Sequence, residues 1–106
     1  MRTADILMHG LPAGVLKEGE DHKSWRFDYL PDYDGPPVSL TMPTIARSYH
    51  FGAFPPFFEG LLPEGIMLDG LLRRLKIDRD DYFSQLVATG ADLVGAVTVE
   101  IREDGK

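Results

Sequence analysis

From Phe51 to Leu75 the chain packs phenylalanines and a run of leucines between prolines and glycines set a few residues apart. Side chains of that kind leave water, while Pro55, Pro56 and Pro63 forbid one continuous helix or a central strand. The stretch is therefore expected to be mostly buried, sharply bent and the centre of the core.

Its second half has helical periodicity. Pro63 suits a first helical position, where the missing N–H would have had no partner, and Glu64 places negative charge near the positive end of the helix dipole. Leu68, Leu71, Leu72 and Leu75 then fall at i, i+3, i+4 and i+7, one apolar stripe facing a core. Asp69, Gly70, Arg73 and Arg74 occupy the other side. At about 100° per residue Ile66 projects into the middle of that polar side, with Met67 on its flank. Two readings account for an apolar residue there. Ile66 folds back in the first turn onto Leu61 or Leu62, or Pro63-Glu64-Gly65-Ile66-Met67 forms a rigid apolar knob offered to another protein.

The 106 residues suffice for a single domain, 1–106, with one modest core. An apolar fraction of 43% and a charged fraction of 26% are those of a folded soluble protein. With 17 acidic against 11 basic residues the net charge is -6, which repels nucleic acid, so direct nucleic-acid binding is not expected. There are no cysteines, hence no disulfide and no thiolate metal site, which suits a reducing cytoplasm. No apolar run approaches the roughly 18 residues of a membrane span, and Met1-Arg2-Thr3 leads into a strand rather than a signal-peptide core. No membrane association is expected.

In chain order, Ala4–Met8 and Ala13–Lys17 read as a hairpin turning at His9-Gly10-Leu11-Pro12. Trp25, Phe27 and Tyr29 alternate with polar residues, the clearest strand in the sequence, and each buried ring contributes about 2–3 kcal/mol before entropy is subtracted. After a turn-rich loop, Val38, Leu40 and Met42 alternate as a fourth strand, stopped by Pro43, while Thr44–His50 has no convincing period. A short helix over 54–62 precedes the Pro63 helix. A third helix starts with Asp78 as N-cap and Ile77 stapled on Tyr82, and ends at Gly90 as C-cap. Leu93–Ile101 closes the chain as a strand with Val97, Val99 and Ile101 inward, returning to the opening hairpin. The fold class is α+β: a small antiparallel sheet or partly closed barrel of about five strands, with two or three helices inserted before the last strand.

Chemistry is sparse. His9, His22 and His50 are far apart, and no two of them share a metal-ligand spacing. Ser48 and His50 lack a glycine-flanked elbow and a third group, and Glu59 with Glu64 read as solvated acids next to turns. Gly60, Gly65 and Gly70 lack the lysine and hydroxyl residue of a phosphate loop. No catalytic residue, metal site or cofactor site is expected. Arg73, Arg74, Lys76 and Arg79 form the one basic cluster, either a solvated helix end that complements the dipole or a docking rim for an acidic surface.

Phe57-Phe58-Glu59-Gly60-Leu61-Leu62-Pro63-Glu64-Gly65, followed downstream by Gly90-Ala91-Asp92-Leu93-Val94-Gly95-Ala96-Val97, resembles the paired signature of the N-terminal subdomain of HipA-type serine/threonine kinase toxins. The leading hairpin and the proline-bounded Val38–Met42 segment agree in order, and the resemblance covers essentially the whole chain. It departs from that family after Lys106, where a kinase body would follow, and no kinase lysine, catalytic aspartate or metal-binding loop is present. The Met1 start and the charged Glu103-Asp104-Gly105-Lys106 tail suggest a complete product, like the small HipS proteins of tripartite HipBST toxin–antitoxin systems. The resemblance then implies an antitoxin that binds and neutralises a HipT-like serine/threonine kinase, with a HipB-like helix-turn-helix protein supplying DNA binding in the same complex. The alternative it implies is a non-inhibitory structural or assembly subdomain of a HipA-type kinase. The expected partner-binding residues are Pro63, Glu64, Gly65, Ile66, Met67, Arg73 and Arg74, with Ile66 as anchor.

Overall fold

The hairpin that opens the chain lies at the centre of the sheet. In the computed structural model, which describes residues 2–93 and 95–102, strands β1 (Thr3–Met8) and β2 (Leu11–Glu18) pair antiparallel around a turn at His9 and Gly10, both with positive φ. β3 (Trp25–Tyr29) adds to β2 in the register Gly14↔Tyr29 to Glu18↔Trp25. The aromatic alternation behaves as its period requires: Trp25, Phe27 and Tyr29 are buried while Arg26 points to solvent.

The sheet has the order β4-β3-β2-β1-β5 and is open, with β4 (Ser48–Phe51) and β5 (Val97–Ile101) at its edges. It is antiparallel throughout and not a closed barrel. Three helices, α1 (Pro56–Glu59), α2 (Gly65–Leu75) and α3 (Tyr82–Ala88), come between β4 and β5. β5 returns to β1, Ile6 facing Val99, as the opening hairpin demanded. Val97 and Val99 point into the core, but Ile101 is 53% exposed at the strand's end rather than inward. Val94 of the second sequence motif and residues 103–106 of the tail lie outside those described.

The expected strand over Val38–Met42 does not form. Val38 and Met42 are both buried, four residues apart, whereas Leu40 is 93% exposed. The cause is Tyr29, whose hydroxyl accepts from the Val38 N–H at 3.0 Å and donates to the Met42 carbonyl. Extended backbone rises about 3.3 Å per residue, so a strand would hold residues 38 and 42 too far apart to meet one oxygen. The loop curls around the buried phenol and fills its hydrogen-bonding capacity. The fourth strand is instead β4, in the segment without a period. Its side chains are exposed or half-buried, and it is held by backbone pairing with β3, from Trp25↔Phe51 to Asp28↔Ser48.

Helix boundaries shift for equally local reasons. Pro63 lies before α2 rather than at its first position, because Glu64 is the N-cap and Gly65 turns the chain with φ +62°. Asp81, not Asp78, caps α3, accepting from the Ser84 N–H at 3.2 Å, while the buried Gln85 amide donates to the Asp78 and Arg79 carbonyls. Gly90 is not the C-cap, which is Thr89; its carbonyl accepts from the Val99 N–H, and a Cβ there would lie 1.9 Å from the Val99 carbonyl oxygen. Its missing side chain lets the end of α3 lie against β5.

The core sits between the sheet and α1 and α3. Trp25 stacks on Phe83 at 5.5 Å and meets Phe54 edge-on at 5.0 Å, and Phe27 reaches Phe58 at 5.8 Å. The 51–75 stretch is thus central only in its first half. In α2 only Leu71 and Leu72 are buried, and both lie outside the main core cluster; Leu68 is half-buried and Leu75 exposed.

Candidate interaction surface

Two concave regions differ in chemistry. The first lies where the N-terminus meets α3, lined by Arg2, Trp25, Phe54, Asp81 and Phe83 among others. Arg2 donates to Glu18 at 3.1 Å, to Asp81 at 2.9 Å and to the Ser84 hydroxyl at 3.4 Å, and its guanidinium stands 4.9 Å from the Phe83 ring centre. Glu18 is 4% exposed; burial pushes its carboxyl up, but hydrogen bonds and charge from Arg2 outweigh burial and hold it below the usual range. Asp81 is likewise held low, burial being outweighed by Ser84 and Arg2. With its donors so engaged, this guanidinium is a structural tie between β2 and α3. Sequence reading missed it, since Arg2 and Asp81 are brought together only by the fold.

The second region is an open groove of ≈ 710 Å³ beside α2. Leu61, Leu62 and Leu93, all partly buried against the core, line it together with one flank of α2. Ile66, Met67, Gly70, Leu71 and Arg74 from that flank fall at i, i+1, i+4, i+5 and i+8, a stripe beside the one that Leu71 and Leu72 bury. Ile66 is 88% exposed and Met67 76%, so Ile66 does not fold away onto Leu61 or Leu62, although it shares the groove with them.

Of the residues expected to bind a partner, the fold brings Pro63, Ile66, Met67 and Arg74 to this groove; Glu64, Gly65 and Arg73 are exposed nearby without lining it. Leu61, Leu62, Gly70, Asp92 and Leu93 join it without having been expected there, although all but Gly70 stand in the two family-like motifs. Arg79 of the basic cluster pairs with Asp69 at 2.7 Å. Arg73, Arg74 and Lys76 have no carboxylate partner among the described residues, whereas Arg2, Lys17, Arg26 and Arg102 each have one. Lys76 closes α2 in the left-handed conformation, φ 57°, and the cations there also complement the helix dipole.

Among the described residues no cluster of three or more His, Cys, Asp or Glu is placed to hold a metal ion. His9 and His22 occupy tight turns with positive φ, and His50 is exposed on β4. Ser48 donates to Asp28 rather than engaging His50, and Asp28 is held at about 2, burial being outweighed by Arg26, Ser48 and Lys17. No helix among the described residues is long and apolar enough to cross a membrane.

Comparison with known proteins is consistent across family, sequence and structure. Residues 4–100 match the model of the HipA N-terminal domain. An uncharacterized protein of Haemophilus influenzae is 33% identical over 100 residues, covering 94% of this chain and 92% of that protein. A putative kinase of Sinorhizobium fredii, Y4dM, is 33% identical over 109 residues, covering 93% of this chain but 26% of the kinase. Among solved structures, an N-terminal domain of HipA toxin superposes with a TM-score of 0.77 at 29% identity, covering 98% of this chain and 95% of that one. The chain belongs to the HipA N-terminal domain family.

Proposed function

We propose that this protein is an antitoxin-like partner that binds a HipA-type or HipT-like serine/threonine kinase and holds it inactive. The observation that carries the reading is the exposed pair Ile66 and Met67 beside an apolar groove, on a helix that buries little of itself. Apolar side chains presented this way gain most when a partner desolvates them. The two relatives support the arrangement: the same domain makes up nearly all of the Haemophilus protein and about a quarter of the Sinorhizobium putative kinase. In this reading the chain occupies on its kinase a position akin to that of the covalently joined domain.

The mechanism is steric, and the protein is not an enzyme in this reading. Pro63 stiffens the entry to α2, which reduces the ordering cost of docking. The Pro63–Met67 tip seats in or beside the nucleotide cleft of the kinase, with Ile66 as anchor and Arg73 and Arg74 at the rim. A HipB-like helix-turn-helix protein completes the assembly and carries DNA binding, which a chain of net charge -6 does not favour. The complex is cytoplasmic.

Substituting Ile66→Asp tests this. The variant should fold as the wild type does yet fail to rescue growth of cells expressing the kinase, and unchanged rescue removes the tip from the mechanism. The second reading is a non-inhibitory assembly subdomain, favoured by the domain's place within the Sinorhizobium putative kinase. Kinase autophosphorylation measured with and without this protein separates the two, because a scaffold leaves it unchanged.

A further inference from the structure

Gly70 has no intramolecular reason to be a glycine. It lies in the middle of α2 on the groove-lining stripe, and a Cβ built on it meets nothing within 4 Å. Gly65 is explained by its positive φ and Gly90 by its contact with Val99, but Gly70 only weakens the helix that carries it. A bare spot at that place permits close approach from outside. Ile66 and Met67 stand before it on the stripe and Arg74 stands one turn after it. Arg74 and its neighbours Arg73 and Lys76 lack carboxylate partners among the described residues of an otherwise acidic chain.

We propose that the groove receives one amphipathic helix of the partner kinase, crossing α2 at Gly70 and setting a carboxylate against Arg74. The inference rests on the kinase-binding reading and adds to it the secondary structure and charge of the partner segment. A helix fits better than a strand because neither edge strand lines the groove, so a docked strand would find no sheet edge to pair with. From Ile66 to Arg74 α2 rises about 12 Å, room for about two turns of a docked helix. Packed helices approach to about 8–10 Å between axes, the near limit requiring small residues at the crossing. The partner's apolar side chains enter between Ile66 and Met67 on one side and Leu61, Leu62 and Leu93 on the other. Its carboxylate fixes direction, since Asp92 on the groove repels it and Arg74 attracts it.

The test uses the 106-residue chain and a HipA-type kinase, with affinity and thermal stability measured for each variant. Gly70→Ala should raise the Tm of the free protein by roughly 4–8 °C, since the helix gains propensity and nothing is displaced. Gly70→Gln should leave the protein folded but weaken kinase binding by about tenfold or more, and Arg74→Glu should weaken binding comparably, with the loss largest at low salt, where the reversed charge repels the partner carboxylate most. Wild-type affinity in both Gly70→Gln and Arg74→Glu, with binding lost in Ile66→Asp, overturns the helix-docking proposal and leaves the antitoxin reading standing. A Tm that falls in Gly70→Ala also overturns it, because the glycine then has an internal role. If the wild-type chain does not bind the kinase, both fall together.

Discussion

The corner where Arg2 joins β2 to α3 and the exposed flank of α2 are built from similar residue types with opposite outcomes. At the corner, arginine, acids and aromatic rings saturate one another: Arg2 bonds Glu18 and Asp81 and lies over Phe83, and Phe83 stacks on Trp25. On α2, the cations Arg73, Arg74 and Lys76 find no acid among the described residues, and Ile66 and Met67 find no cover. Satisfied groups hold the fold together, whereas unsatisfied ones leave interaction energy available to a second molecule. The distinction lies in tertiary surroundings, since arginine and large apolar residues occur in both places.

Breaking the satisfied side should cost most. Gly90→Ala forces a Cβ against the Val99 carbonyl, a backbone atom that moves only if α3 and β5 separate, and a loss of about 3 kcal/mol or more is expected in denaturant unfolding. Arg2→Met keeps apolar contact with Trp25 and Phe83 but leaves the buried Glu18 facing His22, 3.6 Å away, in place of the guanidinium. Because Arg2 is itself partly exposed, a loss of about 2–3 kcal/mol is expected, below that of a fully buried pair.

Acid should erode the same side. Glu18, Asp81 and Asp28 have folded-state pKa values below their unfolded ones, so their contribution is present above the ordinary carboxylate values of about 4. It is lost as pH falls through that range toward the folded values, about 2 for Asp28. Unfolding free energy measured from pH 6 to pH 3 should decline, and the gap between wild type and Arg2→Met should narrow over that window. A constant gap would remove the Glu18 and Asp81 pairings from the account. The smallest stability effect belongs to the other side: Ile66→Asp, on an 88% exposed residue, should change stability by less than about 0.5 kcal/mol. A larger loss would mean that Ile66 belongs with the satisfied groups, and the contrast would collapse.

Ile66 itself was legible as an anomaly, an apolar residue on the polar side of a helical pattern, and the structure rules out its folding back onto Leu61 or Leu62 by leaving it exposed. Gly70 and Arg74 stood on that polar side too, but their grouping with Leu61, Leu62 and Leu93 needed the path of the chain between α1 and α2 and again after α3. The Arg2 tie had no signal, because no local pattern links residues that far apart.

Within the sequence, periodicity and turn residues determined whatever depends on near neighbours: the hairpin at Gly10, the inward rings of Trp25, Phe27 and Tyr29, and the α+β order. Tertiary structure decided the rest. The buried hydroxyl of Tyr29 turned the alternating Val38–Met42 segment into a loop, and backbone pairing with β3 made a strand of the patternless Ser48–Phe51. An alternating pattern states only which side chains shun water. Which of several permitted backbone paths satisfies them is set by hydrogen-bonding groups elsewhere in the chain, and burial makes leaving those groups unpaired too costly.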